Sequence, residues 1–319
     1  SYAATFPNTN TLTKSIMAKT IEKLMIWDGN NHFRRCAGNK GLMRLTFKGK
    51  QTGAIHGTIK RILTDIQTFK PTECVVVFDG AGARVEKQKV YEGYKAHRTS
   101  GMDESLHYQM NVTRDILRAA GICVLQKPGV DADDAIGALA SLKHRSILVN
   151  SNDKDFLSLV NDWCSQIRDR GNGPEVWTAA SVRDHYGIEP HQIPDYLALC
   201  GDGVDGIPGL SGCGPVNAGE LLREWGSLRE IVVNRKQIPK WNKKLAKQRE
   251  ELKAFLQLTT LDKSVISDAA MQNIIPRLKP GKYSPELTTL CETHGLHWLL
   301  KWFLAHRPSV VSSTRGLWG

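Results

Sequence analysis

The sequence predicts an α/β fold: a central, mainly parallel twisted sheet flanked by helices, followed by a helical second lobe. Three observations predict it. Four short apolar runs each end on an acidic or polar residue, helical patterns separate them, and beyond about Val176 only helical patterns remain. Parallel strands are covered on both faces, so they read as unbroken apolar runs joined by right-handed helical crossovers.

In chain order, the first run is Leu24-Met25-Ile26-Trp27, entering Asp28. A helix is expected over 53–69, then the run Cys74-Val75-Val76-Val77-Phe78, entering Asp79. Residues 82–107 break the alternation: 83–98 are basic, carry two tyrosines and hold few core-forming side chains. Such a stretch is ordinarily a solvated surface helix; directly after a strand end, it is read here as a segment projecting over that end. Helices over 104–120 and 133–142 bracket the run Ile122-Cys123-Val124-Leu125, and Ser146-Ile147-Leu148-Val149 gives a fourth strand. Helices over 180–186, 193–199, 217–225 and 240–258 complete the pattern, with breaks at Gly187, Pro190, 201–214 and Pro239. In parallel sheets ligands gather at the carboxyl ends of strands, where Asp28 and Asp79 fall.

Composition narrows the class of partner. The 319 residues are 41% hydrophobic and 24% charged, as in ordinary globular proteins. No run approaches the roughly 18 apolar residues of a membrane helix, so no membrane partner is expected. The net charge of +11 favours encounter with polyanions, nucleic acid above all, although a generic basic protein has the same balance. The seven cysteines (Cys36, Cys74, Cys123, Cys164, Cys200, Cys213, Cys291) are odd in number and show no CxxC spacing. They read as reduced packing thiols of a cytoplasmic protein, not a disulfide frame or zinc site. Residues 1–20 hold no acidic residue and seven Ser or Thr, a composition shared by organellar targeting signals and frayed tails. A single Lys before Lys19 and no Arg favour the tail, and Met17 is a candidate start.

The chemistry-bearing residues are nine aspartates at element ends. Asp28 and Asp79 close strands. Asp131, Asp133 and Asp134 open a helix after Pro128-Gly129; Asp153 and Asp155 follow the strand ending at Val149; Asp202 and Asp205 lie in a Gly-rich turn. Nine converging carboxylates repel one another unless cations neutralise them. Oxygen ligands without His or Cys select Mg²⁺, with Mn²⁺ as substitute, over zinc. Each group also has a plain alternative as helix cap, macrodipole partner or turn former. Downstream, glycines 209, 212 and 214 permit a tight hairpin with amides at a helix start, suited to phosphate without base readout. Residues 234–253 add eight Lys or Arg against two Glu, around Trp241.

Taken in order, Asp28-Gly29, Val77-Phe78-Asp79, Gly93-Tyr94-Lys95-Ala96-x-Arg98, Asp131-Ala132-Asp133-Asp134, Asn152-Asp153-Lys154-Asp155 and Gly201-Asp202-x-x-Asp205-x-x-Pro208-Gly209-x-x-Gly212-x-Gly214 resemble the 5′-3′ exonuclease and flap endonuclease family. Its members include the N-terminal nuclease domain of bacterial DNA polymerase I and the stand-alone phage enzymes. The resemblance spans about 24–260 and implies a PIN-like nuclease domain at 24–178 with a helical arch at about 82–107. It further implies a DNA-binding lobe with a helix-hairpin-helix at 179–306, between tails at 1–23 and 307–319.

It also implies roles. Asp28, Asp79, Asp131 and Asp133 would hold a first metal, with Asp134 behind them; Asp153, Asp155, Asp202 and Asp205 would hold a second. Lys95 and Arg98 would steer the scissile phosphate, and Arg35 would lie near it. Arg84, Tyr91, Tyr94, Gly209, Gly212, Gly214, Lys240, Lys243 and Lys244 would contact DNA, with K⁺ at the hairpin. The chain departs from the family at Asp131 (usually Glu), Gly206 (usually Asn) and Val216 (usually Lys). The expected function is a structure-selective, stand-alone, monomeric nuclease acting on 5′ flaps, free 5′ ends or nicks in replication or repair. The competing readings are a non-catalytic structure-specific DNA-binding protein and a PIN-like ribonuclease. All nine aspartates being present argues against the first, and the hairpin argues against the second.

Overall fold

The structure, a computed structural model, describes residues 21–96, 103–169, 171 and 173–305; the side chains of Arg84, Glu86 and Leu304 lie outside that description. Strand β1 (Glu22–Asp28) enters α1 (Gly29–Ala37) directly, and a small antiparallel hairpin of β2 (Thr46–Phe47) and β3 (Lys50–Gln51) precedes α2 (Gly53–Phe69). Then follow β4 (Glu73–Val77), α3 (Ala83–Val90), α4 (Glu104–Ala119), β5 (Cys123–Leu125), α5 (Ala132–Leu139), β6 (Arg145–Asn150), β7 (Cys164–Asp169) and β8 (Pro174–Trp177). The remaining described elements are helical: α6 (Ala179–Tyr186), α7 (Ile193–Cys200), α8 (Pro215–Trp225), α9 (Leu228–Val233), α10 (Pro239–Lys247), α11 (Arg249–Thr259), α12 (Asp268–Ile274), α13 (Glu286–Thr293) and α14 (His297–Ala305). No described helix is long and apolar enough to cross a membrane.

The six-stranded sheet runs β5-β4-β1-β6-β7-β8, parallel throughout except for the antiparallel edge strand β8. The chain builds outward from β1 through β4 to β5, then returns to β1's other side at β6. The carboxyl ends of β1 and β6 therefore flank a topological switch point, where an open α/β sheet leaves a crevice. Leu24, Met25, Ile26 and Trp27 are fully buried, as a strand covered on both faces requires.

Two strands of this sheet, like the separate β2–β3 hairpin, were absent from the sequence expectation. β7 is polar because its buried Gln166 and Arg168 serve loop carbonyls: Gln166 Nε2 donates to Ser151 O (2.7 Å), and Arg168 donates to Asn152 O (3.0 Å). β8 is an edge strand with three of its four residues exposed. The helix expected over 240–258 is two helices, broken at Gln248, whose amide still bonds back to Lys244 O.

Burial also divides the expected lobe at 179–306. A helical core gathers Trp177 through Leu258, together with Tyr94 and Leu157. Leu261, Ile266, Ile274 and Leu278 instead cover one face of the sheet beside α5. Leu287, Cys291, Leu296, Leu299 and Phe303 pack on the other face with α2 and α4. The last three helices thus complete the α/β layers, whose apolar faces need cover on both sides. All seven cysteines are free, and six are buried.

Candidate active site at the strand ends

The carboxylates arrive from separate elements, each fixed by local backbone chemistry. Asp28 ends β1 and caps α1, accepting Asn31 N at 2.9 Å, while its second oxygen accepts the Ser151 hydroxyl at 2.8 Å. Asp79, two residues past β4, accepts Ala132 N at 3.1 Å and the Asn30 side chain. Asp131 caps α5 through Asp133 N at 3.0 Å, so the plain capping role and the clustered one coexist in a single residue. Asp153 accepts Asp155 N at 3.1 Å just beyond β6. Asp202 and Asp205 sit in a turn closed by two backbone bonds between Asp202 and Ile207, at 2.7 and 2.8 Å.

Electrostatics joins them into one group. Burial first, then Asp131 and Asp153, drives Asp133 well above the carboxylate range. Burial, then Asp153, Asp205 and Asp202, does the same to Asp155. Asp28 is pushed up to about 7, mainly by burial and also by Asp153 and Asp79. Asp79, exposed at the crevice rim, is raised by the protein packed around its carboxyl and by Asp131. Asp153 therefore adjoins both expected subsets.

Among the described residues no three His, Cys, Asp or Glu side chains close into a ready-made cage. Lysines lie between the carboxylates instead. Lys87 Nζ sits 3.3 Å from both Asp131 and Asp134, Lys95 Nζ 3.4 Å from Asp205, and Lys154 Nζ 3.1 Å from Asp202. Burial favours protonation of Asp131, yet Lys87 and Lys95 outweigh it and hold this carboxyl below its usual value. Asp134 also accepts Asp262 N at 2.9 Å, which turns it toward the loop after α11, behind the other carboxylates.

The remaining expected site residues divide. Lys95 belongs to the cluster: its charge acts on Asp79, Asp131, Asp133 and Asp155. Arg98 lies outside the described residues, as does the Arg84 side chain, although Arg84 itself falls on α3. Arg35 is held by Asp169 at the end of β7 (2.6 Å to its carbonyl), and Asn152, the neighbour of Asp153, bonds the same carbonyl. Tyr94 is 1% exposed within the lobe core, so its ring is packing and not a stacking platform. Tyr91 packs edge-on against Phe255 at 5.2 Å and is half-buried.

Lys87, Lys154, Asn30 and Ser151 were missed by sequence reasoning. Lys154 stood in plain view between Asp153 and Asp155, and Lys87 lay in the basic segment eight residues before Lys95.

The glycine hairpin is closely packed at its start. Gly209 has φ +74°, and a Cβ there would lie 2.5 Å from Gly201 N and 2.6 Å from Leu199 O. Three amides between Gly209 and Gly214 are already used by the protein: Leu210 N by Leu199 O (2.8 Å), Ser211 N by Gln248 Oε1 (2.9 Å) and Cys213 N by Leu210 O (2.8 Å). Gly214 caps α8, and a Cβ there meets open space. Beside it, Lys240 and Lys244 lie 5.1 and 5.2 Å from the Trp241 ring; Lys240 donates to Asn217, and Lys244 donates to Ser211 O at 2.8 Å. Lys243 is exposed on the same helix.

A parallel sheet with an acidic crevice at its switch point, backed by a lobe with a glycine hairpin and basic helix, defines a PIN-like α/β protein with a helix-hairpin-helix. The 5′-3′ exonuclease N-terminal resolvase-like domain matches residues 23–187, and the 5′-3′ exonuclease C-terminal SAM fold matches 188–280. The chain belongs to the 5′-3′ exonuclease family.

A 5′-3′ exonuclease of Aquifex aeolicus is 41% identical over 192 residues, covering 59% of this chain and 65% of that protein. One from Buchnera aphidicola subsp. Baizongia pistaciae is 31% identical over 290 residues, covering 89% and 93%. DNA polymerase I of Mycobacterium bovis is 35% identical over 217 residues, 66% of this chain but 24% of the polymerase. The chain thus spans less than two thirds of the Aquifex protein and about a quarter of the polymerase. In fold it resembles the bacteriophage T5 flap endonuclease, solved with DNA and metal ions (TM-score 0.63, 19% identity, 85% of this chain and 100% of that one). It also resembles the catalytic core of Rad2 with DNA substrate (TM-score 0.56, 18% identity, 92% and 93%).

Proposed function

We propose that the protein is a structure-selective 5′-nuclease, a flap endonuclease and 5′-3′ exonuclease that hydrolyses DNA phosphodiester bonds in replication or repair. The observation that carries this is the meeting of carboxylates from four strand ends and from the lobe turn in one crevice, where Asp28, Asp155, Asp202 and Asp205 are buried. Family membership and the DNA complexes of the fold neighbours support it.

The donor set suits hard divalent cations. All donors are carboxylate oxygens, several are held above their normal range by burial and each other, and Asp155 Oδ1 is buried with no hydrogen-bond partner. Such repulsion is relieved by bound charge. Asp28, Asp79, Asp131 and Asp133 would hold one Mg²⁺ or Mn²⁺, and Asp153, Asp155, Asp202 and Asp205 a second. Cations held by these two sets would supply Lewis-acid stabilisation of the charge that develops as phosphorus is displaced.

The chain's own residues do the rest. Lys95, placed on Asp205, offsets charge on the scissile phosphate, with Arg98 beside it in sequence. The 207–214 hairpin and α10 grip the duplex backbone, with K⁺ on hairpin carbonyls, and one copy suffices. Incubation with a 5′-flap DNA and Mg²⁺ tests the reading: cleavage releasing the flap is expected. An intact substrate in both Mg²⁺ and Mn²⁺ rejects it.

A further inference from the structure

Strands β1 and β6 are adjacent in the sheet, and each delivers a carboxylate-bearing segment to the crevice. Their register pairs Trp27 with Asn150, so Asp28 and Ser151 follow side by side. The floor beneath them is fixed: Trp27 Nε1 and Asn150 Nδ2 both donate to one Asp65 oxygen, at 3.0 and 2.9 Å. Above it, Ser151 is 1% exposed. Its hydroxyl donates to Asp28 Oδ2 at 2.8 Å and accepts from Asp153 N at 3.1 Å. A hydroxyl carries one proton and two lone pairs, so a single oxygen meets both demands. The Ser151 carbonyl accepts from buried Gln166 Nε2 at 2.7 Å, and the same amide reaches Asp153 O at 2.5 Å.

We infer that Ser151 is a positioning residue: its hydroxyl sets the separation and orientation of Asp28 and Asp153, one carboxylate from each cation-holding subset, across the switch point. It acts only through those two groups. Asp153 is the residue whose charge reaches both subsets, so an error at this joint affects both. An alanine here leaves Asp28 Oδ2 short of a donor and Asp153 N short of an acceptor, while removing only one buried atom. The inference rests on the nuclease reading for its catalytic consequence, but its geometric content does not.

The test compares Ser151→Ala, Ser151→Thr and Ser151→Val with the unaltered chain. Thr keeps the hydroxyl, whereas Val has the shape of Thr without it. Ser151→Ala and Ser151→Val should lose about 10- to 100-fold in kcat on 5′-flap DNA, the usual effect of removing a partner behind a cation ligand. KM for DNA, and DNA affinity in EDTA, should hold. Ser151→Thr should stay near the unaltered rate. Calorimetric titration with Mn²⁺ alone should show the same order of affinities without DNA. Equal loss in Thr and Val, or unchanged Mn²⁺ affinity in both Ala and Val, overturns the inference. Should Ser151→Ala not fold, the Thr and Val pair decides alone. If the unaltered chain cuts no DNA, the nuclease reading fails while the Mn²⁺ titration still settles this one.

Discussion

At the residue scale, the crevice separates side chains by what they touch. Asp153 adjoins both carboxylate subsets, so Asp153→Asn should abolish cleavage while leaving DNA affinity in EDTA nearly intact. If affinity collapses too, the residue is structural. Lys95 is the lysine whose charge reaches most of the cluster. Lys95→Ala should slow single-turnover cleavage by at least about 100-fold, as loss of a charge-stabilising donor does; an unchanged rate removes it from the chemistry. Beneath the crevice, burial drops His32 to about 4, with Arg61 adding to the effect. The unfolded imidazole protonates near pH 6.5 and the folded one only near 4. Stability is therefore whole above that window and falls as pH drops through it, by roughly 3 kcal/mol at most. His32→Gln should flatten the difference between urea unfolding at pH 7 and at pH 4.5. The aspartates were legible because each sits where an element ends. Tyr94 was not: an aromatic beside a lysine reads the same whether its ring is packed or offered to a base, and only tertiary burial distinguishes them.

At the element scale, the hairpin makes two kinds of glycine. Gly209→Ala forces a left-handed φ and a Cβ into backbone, so it should destabilise by about 2–4 kcal/mol in denaturant unfolding. Gly214→Ala has open space and an ordinary φ of −79°. It should melt normally yet bind duplex more weakly if that helix start faces phosphate; equal binding contradicts the contact. Elements with an apolar signature were legible, α2 at the expected 53–69 and the central strands within a residue or two. β7 was hidden because two of its buried side chains, Gln166 and Arg168, are polar and donate to loop carbonyls, a pairing invisible along the chain. The break at Gln248 was hidden because neither Gly nor Pro marks it.

At the scale of the whole molecule, the proposed function gives the basic charge and the acidic crevice separate tasks: the surface would gather polyanion, and the crevice would act on one bond of it. Each phosphate neutralised by the lobe should contribute a slope of about −0.9 to log affinity against log salt. Replacing Lys240, Lys243 and Lys244 together by Ala should make that slope shallower by up to about 3, and an unchanged slope removes α10 from the DNA path. The layered order was legible from alternating apolar runs and helices. The return of α12, α13 and α14 onto the sheet was not, because an amphipathic helix does not say which apolar face it covers.

Cleavage of a 5′-flap DNA with and without divalent cation is the decisive measurement for the proposed nuclease. Flap release in Mg²⁺ or Mn²⁺, a 5′-phosphate on the product and no reaction in EDTA are expected. A substrate left whole in both metals, or cut equally well in EDTA, contradicts the nuclease reading.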